Sequence, residues 1–253
     1  GFNLISETEK LQSAHYDRIA HKYAAHYDDK WSRRYREQFI NRPLFENLDV
    51  SGKSVLEAMS GTGGITDFLL RQNALVTGLD ISATELAVFR EKHPQCETIC
   101  SSVLNTNIES ESFDFVVVIG GLHHLHPHLS EAVSEIHRIL KPGGFFCFAE
   151  PHTNSLPDII RRQWYKRDAF FVNNEEAIDY FALKTEFAGM FESRRERFGG
   201  NLGYLFVLNS MIFRLPLKLK SVYSPVVLLA ESWLEKLQGQ KTSCMVTAQW
   251  QKK

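Results

Sequence analysis

The sequence has little cysteine, no strong charge of either sign and no long uninterrupted apolar run. Of its 253 residues only Cys96, Cys100, Cys147 and Cys244 are cysteine, and none forms a C-x-x-C pair. A zinc ribbon or a thioredoxin-like motif is therefore not indicated. Three of the four sit in apolar or strand-like surroundings, which suits buried free thiols in a reducing, cytoplasmic compartment. Basic and acidic residues nearly cancel, 29 against 30. No field of one sign gathers nucleic acid or an anionic membrane non-specifically, although a local basic patch remains open. The most apolar stretch, 202–230, is broken by Arg214, Pro216, Lys218, Lys220 and Pro225, so it falls short of the roughly 20 apolar residues a membrane helix needs. Gly1-Phe2-Asn3-Leu4 lacks the basic and apolar regions of a signal peptide. The start at glycine rather than methionine leads us to expect a missing upstream segment. Repeats and low-complexity tracts are absent. The 43% hydrophobic content is enough for one sizeable core.

Strand and helix signals alternate from residue 54 to 150. Ser54–Ala58, Ala74–Leu79, Glu97–Cys100, Phe113–Ile119 and Phe145–Ala149 read as short, almost wholly apolar strands, as expected where helices cover both faces of a sheet. Ile65–Gln72 and Leu129–Leu140 read as helices, and Ser82-Ala83-Thr84-Glu85 is a capping box that starts another. Phe191–Phe198 and Ser243–Gln249 read as a sixth and a final strand. The expected fold is therefore α/β: a Rossmann-like, doubly wound, mostly parallel seven-stranded sheet with an α-helical cap. The expected organisation is an N-terminal helical lid over 1–50, a core over 51–151, a mainly helical cap with one core strand over 152–242 and the final strand over 243–253. The cap draws on helical signals near 6–48, 156–167, 174–190 and 202–239.

The first strand runs into Gly61-Thr62-Gly63-Gly64. Glycine there lets backbone approach a ligand closely, and the next helix offers free N–H groups. Asp80 ends the second strand, where a carboxylate can accept ribose hydroxyls. A dinucleotide fingerprint needs a third glycine, and Thr66 stands in its place. On its own the turn leaves a dinucleotide, another nucleoside cofactor, or no ligand open.

Five segments, in order and at regular spacing, carry a family resemblance: Val55-Leu56-Glu57-Ala58-Met59-Ser60-Gly61-Thr62-Gly63; Thr77-Gly78-Leu79-Asp80-Ile81-Ser82; Ser112-Phe113-Asp114-Phe115-Val116-Val117-Val118; Leu122-His123-His124-Leu125; and Glu135 to Gly144, which contains Lys141-Pro142-Gly143-Gly144. Over about 54–150 the chain resembles class I S-adenosylmethionine-dependent methyltransferases of the small-molecule type. The resemblance implies S-adenosylmethionine as cofactor. It places Glu57 at the methionine amino group, Gly61 and Gly63 under methionine and ribose, Asp80 on the ribose and Ile81 against the adenine, with Ala58 and Met59 also among the cofactor-binding residues. It places Ser102 and Val103 on the adenine side, with Ile119 and Gly120 near the sulfonium. Two departures stand out. Met59 occupies the position of the family's first glycine, and Ser102 that of a frequent acidic residue. A helix cap or surface carboxylate is the competing reading for Glu57 and Asp80.

Methyl transfer needs alignment and, for a hydroxyl or amine nucleophile, a base. His123, His124 and His152 follow strands four and five and are the candidates; the competing reading has them pack or position other groups. No Asp, Glu or Cys spacing complements the histidines, so no metal is expected. The helix around His15–Tyr27 resembles a cofactor-covering entry helix, with Tyr16 and Tyr23, and also Tyr27, as candidates; an amphipathic helix that packs its aromatics explains it equally well. Arg161–Arg167 and Arg194–Arg197 are basic and suit an anionic ligand or an exposed face. The expected function is methyl transfer to a hydroxyl, or next an amine, of a small molecule such as a natural-product intermediate or sugar. Nucleic acid is not an expected partner, and a peripheral or lipid-linked acceptor stays open. The alternatives are a non-catalytic S-adenosylmethionine-binding regulatory subunit and an NAD-dependent oxidoreductase.

Overall fold

The computed structural model describes residues 28–156, 158–159, 177–210 and 215–253. Tyr16, Tyr23 and Tyr27, together with the rest of the entry helix and the basic stretch Arg161–Arg167, lie outside the described residues.

Seven strands form one sheet in the order β3-β2-β1-β4-β5-β7-β6. They are β1 (Ser54–Ala58), β2 (Leu75–Asp80), β3 (Glu97–Cys100), β4 (Phe113–Ile119), β5 (Leu140–Pro151), β6 (Phe191–Gly199) and β7 (Met245–Lys252). The first five run parallel, and β7 is antiparallel to both β5 and β6. Val55, Leu56, Val116, Val117 and Val118 are fully buried, because helices cover both faces of a parallel sheet. One apolar cluster, from Leu56 through Ile136 to Trp250, fills one face, and a second, from Leu44 through Leu69 to Cys147, fills the other.

Among the described residues, the α-helices longer than one turn are α1 (Lys30–Tyr35), α2 (Thr66–Arg71), α3 (Ala83–Lys92), α4 (Leu129–Ile139), α5 (Tyr180–Glu186) and α6 (Leu217–Leu234). After α1 the chain continues as a wide π-turn over Arg36–Asn41. In α4 the buried residues Leu129, Ala132, Val133, Ile136 and Ile139 recur at helical spacing and form the inward stripe. Ser82 caps α3, its Oγ accepting from the Glu85 N–H at 3.2 Å.

Two expectations shift. Lys141-Pro142-Gly143-Gly144 does not end before the fifth strand but bulges within it: Phe113 pairs with Leu140 and Phe115 with Phe145. Gly143 supplies the positive φ, 73°, that the bulge requires. The last strand runs over Met245–Lys252 rather than 243–249, in antiparallel register with β5.

Candidate active site

Winding reverses between β1 and β4, and the crevice at that switch point gathers the ends of five parallel strands. Glu57 and Met59 lie at the end of β1, Asp80 and Ile81 at the end of β2, and Ser102 and Val103 just after β3. Ile119, Gly120 and His123 lie at and after β4, with Glu150 near the end of β5.

Asp80 binds two turns together. Its Oδ2 accepts from the Gly61 N–H at 2.8 Å and its Oδ1 from the Ser82 N–H at 2.9 Å. One carboxylate thus fixes the glycine turn after β1 against the start of α3. Gly61 has φ 51°, in the left-handed region where a Cβ is strained. Gly63 is constrained differently. A Cβ there would come within 2.7 Å of His93 Nε2 and 2.9 Å of Thr66 Oγ1, so its role in this structure is close packing.

Met59 has φ 56°, which explains why the position usually holds glycine: the chain turns through the left-handed region there. A non-glycine residue in that region costs about 1–2 kcal/mol. Its half-buried side chain packs against the main cluster, and a Cβ on Gly121 would meet its Sδ at 2.8 Å. Met59 thus fills space that Gly121 leaves.

Glu57 is buried, and its carboxylate caps α2. Oε1 accepts from the Ile65 N–H at 3.1 Å and Oε2 from the Thr66 hydroxyl. Burial outweighs these bonds and pushes its carboxyl up to about 7. Ser102 Oγ accepts from the Leu104 N–H at 3.1 Å, so it shapes the adenine-side loop, while the Val103 side chain belongs to the core. Gly120 has φ 65°, where a Cβ would be strained, and a Cβ built there would meet nothing within 4 Å. Backbone therefore borders open space at the end of β4. These features fit a nucleoside cofactor at the ends of β3, β2, β1 and β4.

Beyond Gly120 lies the most connected carboxylate of the site. Glu150 is fully buried. Its Oε1 accepts from the Gly121 N–H at 2.7 Å and the Leu122 N–H at 2.8 Å. Its Oε2 lies 2.8 Å from His123 Nδ1. Burial pushes its carboxyl up to about 7, against the pull of those N–H groups and of His124. With Glu150 ionised, Nδ1–H donates to it and Nε2, on the far side of the ring, is the basic nitrogen. This is the geometry of an oriented general base.

The three candidate histidines are thus placed differently. His123 is partly exposed, at 14% for its side chain. His124 is buried, its ring 3.8 Å from that of His123. His152 is 1% exposed, donates from Nδ1 to the Thr153 carbonyl at 2.9 Å and stands edge-on to Phe198. From its place at the end of strand five Glu150 is expected to face the substrate; in the structure it is fully buried against His123, a contact that nothing local in the sequence shows. Arg194, Arg195 and Arg197 pair with Glu192, Glu46 and Glu235.

A glycine turn, an aspartate at the end of β2 and a polar cluster beyond the fourth strand are what a nucleoside-cofactor transferase built on this sheet presents. A family model described as a methyltransferase domain matches residues 56–148. The ubiquinone/menaquinone biosynthesis C-methyltransferase UbiE of Brucella anthropi is 31% identical over 188 residues, covering 65% of this chain and 67% of that protein. The chain belongs to the S-adenosylmethionine-dependent methyltransferases, class I, and S-adenosylmethionine is the cofactor. The phthiotriol/phenolphthiotriol dimycocerosates methyltransferase of Mycobacterium tuberculosis is 32% identical over 112 residues, 43% of this chain and 41% of that one. The chain thus covers about two fifths of that relative's length. The N-methyltransferase NodS of Bradyrhizobium japonicum, solved with S-adenosylhomocysteine, shares the fold at TM-score 0.59 and 14% identity, covering 94% of this chain and 98% of that one.

Proposed function

We propose that this chain transfers a methyl group from S-adenosylmethionine to a hydroxyl of a small molecule, with His123 as base and Glu150 as the group that orients it. The observation that carries the reading is the 2.8 Å contact between His123 Nδ1 and a fully buried carboxylate at the methyl end of the crevice. Bound S-adenosylmethionine supplies a methyl carbon on positive sulfur, an electrophile with a neutral thioether as leaving group. The protein holds the acceptor in line with that carbon and removes its proton. His123 Nε2 takes the proton from the acceptor oxygen. Glu150 keeps the other nitrogen protonated and stabilises the imidazolium that forms. Asp80 and the Gly61 turn fix the ribose end, and the Gly120 backbone leaves room at the sulfonium. An amine is the next nucleophile in line.

The UbiE relative favours a second reading, a carbon acceptor. The same base then deprotonates a neighbouring phenolic hydroxyl and makes the ring carbon nucleophilic.

The test is a panel of hydroxyl, amine and quinol acceptors with methyl-labelled cofactor, read as labelled product and released S-adenosylhomocysteine. Transfer to a hydroxyl acceptor, reduced about a hundredfold in His123→Gln, is the expected result. Full turnover by that variant removes the base assignment. Tight cofactor binding without turnover on any acceptor supports the regulatory-subunit reading instead.

A further inference from the structure

Helix α6 is inside out. The residues it buries are Lys220, Ser224, Leu228 and Glu231. The residues it exposes include Leu219, Val222, Val226, Leu229 and Trp233, continued by Leu237 just beyond its end, each more than half exposed. Their spacing, three or four residues at each step, places them on one face. Surface helices normally carry the opposite polarity.

The buried polar face is anchored, so the helix is held in this rotation. Lys220 donates to Asp29 and, at 2.7 Å, to Ser32 Oγ. Glu231 accepts from the Asn201 N–H at 2.7 Å, the Gly203 N–H at 2.9 Å and the Tyr35 hydroxyl at 3.3 Å. Rolling the apolar stripe inward would break these bonds and strand two buried charges.

The charges on α6, on the neighbouring α1 and on their flanks select its partner. Among the described residues of α1, α6 and their flanks, the acids are engaged: Asp28 with Arg36 and Lys92, Asp29 with Lys220, Glu37 with Arg42 and Arg71, Glu235 with Arg197, and Glu231 by the bonds above. Lys30, Arg33, Arg34, Lys218 and Lys236 form no ion pair among the described residues. Lys236 lies 4.8 Å from the centroid of the exposed Trp233 ring. An apolar stripe, a surplus of cations and an exposed tryptophan are what a helix lying in a bilayer interface presents. No helix among the described residues is long and apolar enough to cross a membrane.

We infer that the outer face of α6 docks the protein on an anionic phospholipid surface, lying in the headgroup region. The inference goes beyond the methyl-transfer reading and does not depend on it, because docking requires neither cofactor nor acceptor.

Flotation of the full chain with vesicles of phosphatidylcholine alone, and of phosphatidylcholine with one-quarter phosphatidylglycerol, tests it. Wild type is expected to float with the anionic vesicles and to be released by salt. The double variant Val226→Asp with Leu229→Asp is expected to lose at least about tenfold in partition. Lys218→Glu with Lys236→Glu is expected to lose about tenfold on anionic vesicles only. Unchanged binding of S-adenosylhomocysteine shows that each variant is folded. Absence of wild-type binding, or equal binding by the aspartate variant, overturns the inference. So does sedimentation showing a dimer that the aspartate variant dissociates while wild type ignores vesicles, because the face is then covered by a second copy.

Discussion

Replacing Glu150 by Gln keeps the shape of the carboxylate and removes its charge. Glu150 has a value of about 7 in the fold against an ordinary 4.5. A group raised in this way contributes stability that is complete below 4.5 and is lost as pH rises through about 7. At about 1.4 kcal/mol per pH unit, that interval corresponds to about 3 kcal/mol. The difference in unfolding free energy between wild type and Glu150→Gln should therefore fall by about 3 kcal/mol from pH 4.5 to 7 and stay level above it. Urea unfolding at a series of pH values measures this directly. The difference between the two proteins cancels the parallel titration of Glu57, which also lies at about 7. The catalytic consequence follows from the same geometry. The amide oxygen can still accept from the Gly121 and Leu122 N–H groups. The amide nitrogen, facing His123 Nδ1, donates to it and forces the proton onto Nε2. Turnover should then fall by about 10²–10⁴ while S-adenosylhomocysteine binding stays within a few-fold. In wild type, turnover should rise with pH through about 7. A stability difference independent of pH, or a variant with full turnover, refutes the reasoning.

Asp80→Ala frees the Gly61 and Ser82 N–H groups and removes the carboxylate proposed to hold the ribose. Bonds to a charged group are worth about 1.5–3 kcal/mol, so S-adenosylhomocysteine should bind about ten- to a hundredfold more weakly in a calorimetric titration. Unchanged affinity contradicts the assignment. Gly121→Ala sets a methyl 2.8 Å from Met59 Sδ and 2.9 Å from Val118 Cγ1. It should cost about 1–3 kcal/mol, part of which Met59→Gly restores in the same chain; strictly additive effects would show that the two do not touch. Glu231→Leu leaves the buried Gly203 N–H and the half-buried Asn201 N–H unpaired. That should cost about 2–5 kcal/mol in urea unfolding, and a loss well below 1 kcal/mol would contradict it.

The sheet was legible because its signals are local. Val116, Val117, Val118 and Ile119 form a β-branched run that only a doubly covered strand buries, and Leu129 to Ile139 repeats at helical spacing. The glycine turn and Asp80 were legible for the same reason: each lies at the end of a readable strand. The Glu150–His123 contact was not. It joins residues 27 apart that meet only because β4 and β5 are neighbours and end together. The sequence showed that Met59 replaced a glycine, but its backbone conformation depends on how β1 turns into α2. The apolar run at 202–230 was visible from composition. Its outward rotation depends on Lys220 and Glu231 reaching Asp29 and Tyr35, contacts 191 and 196 residues distant.

We propose that Glu150 holds the proton of His123 on Nδ1 and makes Nε2 the base. Long-range ¹⁵N–¹H correlation of the histidine side chains at pH 8, assigned with His123→Gln, reads the tautomer without any acceptor. The expected result is an Nδ1–H tautomer at His123 that switches to Nε2–H in Glu150→Gln. An Nε2–H tautomer in the wild-type protein contradicts it.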